Sequence, residues 1–260
     1  MDAMSTYGRF LYNGAPRHAK IETSSGEEIA HFIENLFENP TPTGERARVA
    51  ELSILPPVAP SKLFAIGLNY AAHAKEHGSE IPREPLMWFK APSSLLAHGG
   101  EIEIAFPHHR TDFEAELALI IGKRGKAIAE SEALDYIFGA TCAQDISDRV
   151  IQRDESQWAR AKSFDTYTPL GPYITRDLEW GNLTVETVLN GETRQSGHTS
   201  EMIFSPARIV SFVSQHITLE AGDVILTGTP EGVGALKAGD KLETRISGLK
   251  TLLNSVKNSA

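Results

Sequence analysis

The chain has a single cysteine, Cys142, so no intrachain disulfide can form. It also lacks any apolar run of about 18 residues, the length a membrane-spanning helix needs. The opening residues, Met1 to Gly8, lack the basic and apolar regions of a secretion signal. These absences together set the expectation of a soluble, unexported protein of a reducing cytoplasm, with no membrane partner. A basic excess is missing too: 25 Lys and Arg stand against 34 Asp and Glu, for a formal net charge of -9. Binding to a phosphate backbone needs a clustered basic face, and no such cluster is visible, which argues against a nucleic-acid partner. The glycines spell neither Gly-x-Gly-x-x-Gly nor a P-loop, so no nucleotide cofactor is expected.

What is present is enough chain, 260 residues, to bury a core without disulfide or metal staples. A metal, if used, would therefore serve function. Near the start, Asn13-Gly14 between Arg9–Tyr12 and Ala15–His18 predicts a hairpin with a type I′ turn, and Pro16 would confine its strand to an edge. Ile29, Phe32, Ile33 and Leu36 recur at helical spacing between Gly26 and Glu38, which predicts a helix there, broken by Pro40-Thr41-Pro42-Thr43-Gly44. A second proline-rich stretch, Leu55 to Pro60, marks a boundary. Residues 1–55 are thus expected to form a small α+β module and residues 56–260 a larger domain. In the latter, short apolar runs at 63–67, 113–121, 139–144 and 223–227 alternate with turn signals, so the whole chain reads as α+β and rich in strand. Leu219-Glu220-Ala221-Gly222-Asp223 and Leu236-Lys237-Ala238-Gly239-Asp240 echo each other and suggest two similar turns, not a repeat architecture.

The stretch Phe113-Glu114-Ala115-Glu116-Leu117-Ala118-Leu119-Ile120-Ile121 carries the most chemistry. A period of two puts Phe113, Ala115, Leu117, Leu119 and Ile121 on one apolar face and leaves Glu114 and Glu116 together on the other. Two carboxylates at that spacing repel by about 2 to 3 kcal/mol at an effective dielectric near 20, and a divalent cation would offset the repulsion. A merely wet second face is the alternative, since alternating Glu is common on half-exposed strands. Asp145 ends the apolar run that contains Cys142 and precedes Ile146-Ser147, where Ser147 could cap a helix. Three hard oxygen donors without a neighbouring His or Cys cluster suit magnesium, manganese or calcium.

His73-Ala74-Lys75-Glu76-His77 matches the inverted zinc-protease pattern, but Gly78 and Pro82 cut the helix that chemistry requires. Two readings stay open: a solvated helical turn, or a general base in which Glu76, three residues on, orients His73. The flanking segment from Gly67 to Pro85 is charged and punctuated by glycine and proline, as a segment closing over substrate would be.

Six stretches in order carry a resemblance: Ile66-Gly67-Leu68-Asn69-Tyr70 with His73 and Glu76; Phe89-Lys90-Ala91-Pro92-Ser93; Asp112 to Leu117; Gln144-Asp145-Ile146-Ser147; Ala161-Lys162-Ser163-Phe164; and Thr227-Gly228-Thr229-Pro230-Glu231-Gly232-Val233-Gly234. Each is weak alone, but their series over residues 56 to 248 resembles the fumarylacetoacetate hydrolase superfamily. The resemblance implies a mixed β-roll and a homodimer. It implies a metal, Mg2+ or Mn2+ with Ca2+ as the alternative, on Glu114, Glu116 and Asp145, with Lys162 beside it. Without that context Lys162 reads as a surface lysine. Arg149 and Gln152, three apart on a helix after Asp145, and Thr229 in its Gly-Thr-Pro turn match positions that contact substrate. Lys90 matches a family lysine whose role varies. The implied substrate is a small anionic 2-oxo acid. Hydrolysis of an acylpyruvate such as fumarylpyruvate or acetylpyruvate is the first choice, with His73 and Glu76 activating water. Isomerisation of 2-hydroxyhepta-2,4-diene-1,7-dioate and decarboxylation of oxaloacetate use the same enolate and remain alternatives, and a non-catalytic metabolite-binding protein is the competing class.

Overall fold

The computed structural model describes residues 5–76 and 78–259. The chain opens as a meander in which β1 (Thr6–Tyr12) and β2 (Ala15–Ser24) are joined at Asn13 and Gly14. Their φ angles of 50° and 78° are the left-handed pair that a type I′ turn requires. β2 is an interior strand, contrary to the edge expected from Pro16. Proline is tolerated because pairing to β3 (Glu27–Glu34) begins only at His18, leaving Pro16 paired on one side, to Leu11.

The helix expected over Gly26 to Glu38 is absent, and β3 occupies most of that stretch. Its apolar residues mimic helical spacing because the strand serves two cores. Ala30 and Phe32 pack with Phe10 and Tyr173, whereas Ile33 and the following Leu36 pack with Tyr7 and Phe138. β4 (Thr41–Arg48) and β5 (Ser53–Leu55) complete this part. Among its described residues one short 3-10 turn, Val49–Glu51, is the sole helical element, so it is a β rather than an α+β module.

The remainder continues with β6 (Leu63–Gly67), α1 (Ala71–Glu76), β7 (Leu86–Lys90), β8 (Leu95–Leu96), β9 (Glu101–Ile104), β10 (Thr111–Phe113) and β11 (Ala115–Ile121). Next come β12 (Ile137–Gln144), β13 (Ser147–Asp148), α2 (Arg149–Asp154), α3 (Trp158–Ala161), β14 (Thr168–Thr175), β15 (Thr184–Leu189) and β16 (Glu192–His198). The last elements are α4 (Pro206–Ser214), β17 (Val224–Leu226), β18 (Gly234–Ala235), β19 (Lys241–Ile246) and β20 (Leu252–Asn258). The large sheet runs β4-β3-β2-β1-β14-β12-β11-β17-β6-β7, so the N-terminal strands extend the same sheet through the β1–β14 pairing. A second sheet runs β16-β15-β19-β20-β9, and a small one β13-β10-β18. Parallel pairs β17–β6 and β20–β9 stand among antiparallel ones, giving the β-rich, mixed architecture expected.

The central strands are apolar on both faces. Leu117, Leu119 and Ile121 pack with Ile209 and Val213 of α4 and Val185 of the second sheet, while Ala118 and Ile120 face Leu63, Ala65 and Leu226. Phe113 does not join the Leu117 face as a continuous strand would require. The ladder breaks at Glu114, and Phe113 packs instead with Ile102, Ile146 and Tyr167. The two echoing pentapeptides do form the same turn. Asp223 and Asp240 each accept the amide N–H three residues back, from Glu220 and Lys237, at 2.8 Å. No helix among the described residues is long and apolar enough to cross a membrane.

Candidate active site

The break between β10 and β11 builds the site. Where the ladder stops, the amide of Glu114 donates to the side chain of Gln144 at 2.8 Å and that of Ala115 to Gln195 at 3.0 Å. These contacts satisfy the two donors that the missing strand pairing leaves over. The peptide can then turn Glu114 towards Glu116 and towards Asp145, which follows the end of β12. Ligand oxygens of Glu114, Glu116 and Asp145 lie within 4.8 Å of one another, and all three side chains are buried, Glu116 to 1% exposure. A wet second face is thereby excluded for these glutamates.

Cations surround the trio. The buried Lys162 ammonium donates to Glu114 at 2.8 Å, to Asp145 at 2.8 Å and to the Ser147 hydroxyl at 2.7 Å. Its three hydrogens are fully used, which is incompatible with a surface lysine. Lys90, also buried, donates to Asp145 and to the Tyr167 carbonyl. Arg149 donates to Glu114 at 2.6 Å, to Asp112 at 2.8 Å and to Gln152 at 2.7 Å. Burial works against ionisation of Glu114, but Lys162 and Arg149 outweigh it and hold the carboxyl well below the usual range. Burial and then the charges of Asp145 and Glu114 push Glu116 the other way, well above its ordinary value, against the charge of Lys162 and the amide N–H of Gly228 at 2.5 Å. Burial first, and then two neighbouring carboxylates, thus disfavour the charged form of Glu116. Three buried hard oxygen donors gathered in this way fit a divalent cation.

Glu114 and Glu116 open into a cavity with a volume of about 670 Å3, whose walls also include His73, Glu76, Trp88, Arg149, Gln152 and Thr229. His73 Nδ1 lies 3.2 Å from Glu76, and Glu76 also accepts the Gly232 amide at 3.2 Å. Spacing left a solvated turn open as an alternative; His73 itself is buried in the cavity wall, while Ala71, Ala72, Lys75 and Glu76 of the same turn are exposed. His77, the second histidine of the zinc-protease pattern, lies outside the described residues. Every residue singled out in the sequence for catalysis or substrate contact thus faces one cavity, with Glu114 and Glu116 in its wall and the fully buried Asp145 tied to them through Lys162. The helix after Asp145 is capped by Asp148 and not by Ser147. Asp148 Oδ1 accepts from Val150 N and Ile151 N at 3.0 Å each, while Ser147 turns back to the Asp145 carbonyl and receives Lys162.

Some participants escaped the sequence reading. Asp112, which orients Arg149, stands in the same period-two register as Glu114 and Glu116, so its signal was present. Lys90 was marked only as a family lysine, although a lysine closing the apolar strand Leu86-Met87-Trp88-Phe89 was itself a hint of burial. Trp88 and Trp158, ring centroids 5.2 Å apart, form an aromatic wall with the Lys162 ammonium 5.1 Å from the Trp88 ring. Nothing local marks either tryptophan.

Residues 62–257 match the family model for the fumarylacetoacetate (FAA) hydrolase C-terminal domain, and residues 6–57 match the model described as Rv2993c-like, N-terminal. The chain is 43% identical over 195 residues to the mitochondrial oxaloacetate tautomerase FAHD1 of Arabidopsis thaliana, covering 73% of this chain and 87% of the relative. It superposes with a TM-score of 0.92 on 5-carboxymethyl-2-hydroxymuconate delta-isomerase from Mycobacterium smegmatis, with 35% identity and coverage of 98% and 100%. Fumarylpyruvate hydrolase from Pseudomonas aeruginosa, solved with Mn2+ and pyruvate, gives a TM-score of 0.71 at 30% identity, covering 80% of this chain and 92% of that one.

Proposed function

Because the chain belongs to the fumarylacetoacetate hydrolase family, we propose that it is a divalent-cation-dependent enzyme that carries a small anionic 2-oxo acid through its enolate and moves a proton on it, as a tautomerase or isomerase. One observation carries the reading: Glu114 and Glu116 of a buried Glu114, Glu116 and Asp145 trio face the same cavity as a histidine–glutamate pair. Glu114, Glu116 and Asp145 would hold Mg2+ or Mn2+, with Ca2+ as the alternative. When bound, the cation would supply Lewis-acid polarisation of the 2-oxo oxygen and a counter-charge for the enolate.

The chain's own groups do the rest. Glu76 accepts from Gly232 and from His73, a pairing that puts the ring proton on Nδ1, and the imidazole would take or return a proton at the substrate carbon. Lys162 keeps a fixed positive charge beside the developing oxyanion. Burial opposes that charge, but Asp145 and Glu114 outweigh it and raise the lysine above its ordinary range. Arg149, Gln152 and the Thr229 hydroxyl would receive the substrate's carboxylate. A homodimer belongs to the same proposal, and light scattering on the eluted protein checks it.

Carbon–carbon hydrolysis of an acylpyruvate, with His73 activating water, is the second reading. The cavity volume of about 670 Å3 favours it, because it leaves room for a distal acyl group and a water beyond a four-carbon acid. Proton transfer is placed first because the tautomerase exceeds the fumarylpyruvate hydrolase in identity and the isomerase exceeds it in TM-score.

The test offers chelated protein, with and without added Mg2+ or Mn2+, four substrates: oxaloacetate, 2-hydroxyhepta-2,4-diene-1,7-dioate, fumarylpyruvate and acetylpyruvate. Cation-dependent enol–keto exchange, followed as solvent deuterium entering the carbon beside the 2-oxo group, is the expected result. Release of pyruvate plus a second acid would instead select hydrolysis. If all four stay unchanged with either cation, the enzyme reading falls and a metabolite-binding protein takes its place.

A further inference from the structure

We propose that Gln195 is a positioning residue that frees the hydroxyl hydrogen of Thr229 to point at the substrate's carboxylate; the inference rests on the reading just given of Thr229 as a substrate contact. Gln195 lies on β16, fully buried, and none of the six sequence stretches that identify the family includes it. Its amide orientation follows from two partners with only one possible role each. The Ala115 amide can only donate, and it lies 3.0 Å from Oε1, whereas the Pro230 carbonyl can only accept, and it lies 2.8 Å from Nε2. The Thr187 hydroxyl, at 2.7 Å, adds a second donor to Oε1. Nε2 therefore carries both hydrogens, one for Pro230 and one for the Thr229 oxygen at 2.8 Å.

Thr229 consequently receives a hydrogen bond from Gln195 and cannot return its own hydrogen along that line. A hydroxyl has one hydrogen, and this one is left for the cavity that Thr229 lines. With an acceptor at position 195, the Thr229 hydrogen would turn away into the protein.

The backbone around Gln195 is shaped for this contact. A Cβ on Gly197 would stand 2.4 Å from Pro230, and one on Gly232 would stand 2.3 Å from the Arg194 carbonyl, so β16 and the loop 228–232 approach at van der Waals distance on both sides of Gln195. The same carboxamide oxygen holds the Ala115 amide at the strand break that presents Glu114 and Glu116. A purely structural clamp on that break is the competing account, and the test must separate the two.

Binding of pyruvate to the Mn2+-loaded protein is measured by isothermal titration for wild type, Thr229→Val, Gln195→Met and the double variant, with Thr229→Ser as the conservative control. Mn2+ affinity and melting temperature are measured on each. About a tenfold loss is expected for either single variant, the scale of one hydrogen bond to a charged group. About the same tenfold, not a hundredfold, is expected for the double variant, because Gln195 acts through a hydroxyl that Thr229→Val has already removed. Thr229→Ser should bind within about threefold of wild type. Gln195→Asn, which retracts the amide by one methylene, replaces Gln195→Met if that variant does not fold, with the same expectation.

Multiplying losses in the double variant, or undiminished binding in Gln195→Met while Thr229→Val is weakened, would overturn the role of Gln195 alone. Unchanged binding in Thr229→Val would overturn it together with Thr229 as a substrate contact.

Discussion

Glu116 meets two acidic neighbours and only one neutral donor, whereas Glu114 and Asp145 each have ammonium or guanidinium partners. Of the three carboxyls it depends most on an added cation. Glu116→Ala is expected to weaken Mg2+ or Mn2+ binding by at least a hundredfold in a calorimetric titration and to abolish turnover, while folding is retained because the substitution removes a buried carboxyl crowded by Asp145 and Glu114. His73 differs in kind, since it pairs with Glu76 and is not one of the three carboxylates that would hold the cation. His73→Ala should lower turnover by about 10²- to 10⁴-fold, the usual contribution of a positioned proton-transfer group, with cation affinity within about twofold of wild type. Loss of cation binding in that variant would count against the division of labour.

α2 is six residues long and holds Arg149 and Gln152 over the trio. A helix so short is not stable by itself, and its start depends on Asp148, one of whose oxygens receives two amides while the other meets His109 at 2.7 Å. Asp148→Ala should cost about 1 to 2 kcal/mol of unfolding free energy, as lost N-caps do. It should also raise KM more than it lowers kcat, because Arg149 loses its mount. Asp148→Asn, which can still accept the two amides, should recover most of both effects in denaturant titrations and steady-state kinetics. The same element shows what can be read from a linear chain. That a helix follows Asp145, and that Arg149 and Gln152 share its face, is local periodicity and was legible. Which of Ser147 and Asp148 caps it depends on Lys162 claiming the serine hydroxyl from 15 residues away, and no local pattern records that. β3 was misread for a related reason. A strand with apolar groups on both faces loses its alternation, so Ile29, Phe32 and Ile33 fall by chance on a helical period. The acidic trio was legible because Glu114 and Glu116 sit two apart. The pairing of Gln195 with Thr229 was not, because it depends on how β16 packs against a loop more than 30 residues later.

Cys142 reports on the protein as a unit. It lies in the middle of β12, paired with Leu117 on one side and Gly171 on the other, and burial pushes its thiol from an ordinary 9.0 up to about 12. The native state therefore keeps the proton, and the stability tied to this group is fully present below pH 9 and drains away as pH rises from 9 towards 12. At pH 8 a thiol reagent should not react with the folded protein and should find one thiol after unfolding. Because β12 joins the N-terminal strands, through β14, to β11 and the strand break at Glu114, local fraying is not expected to expose the sulfur, and labelling should report global opening. A cation that binds only the folded trio then slows labelling by the factor 1 + [cation]/Kd, about a hundredfold at a hundred times Kd. Mg2+ or Mn2+ should produce that slowing in the wild type and fail to do so in Glu116→Ala. The rate is read by following a chromogenic disulfide reagent at fixed pH and ionic strength. Labelling that is fast in the native protein, or indifferent to the cation in the wild type, would show that β12 opens independently of the site or that the trio holds no ion.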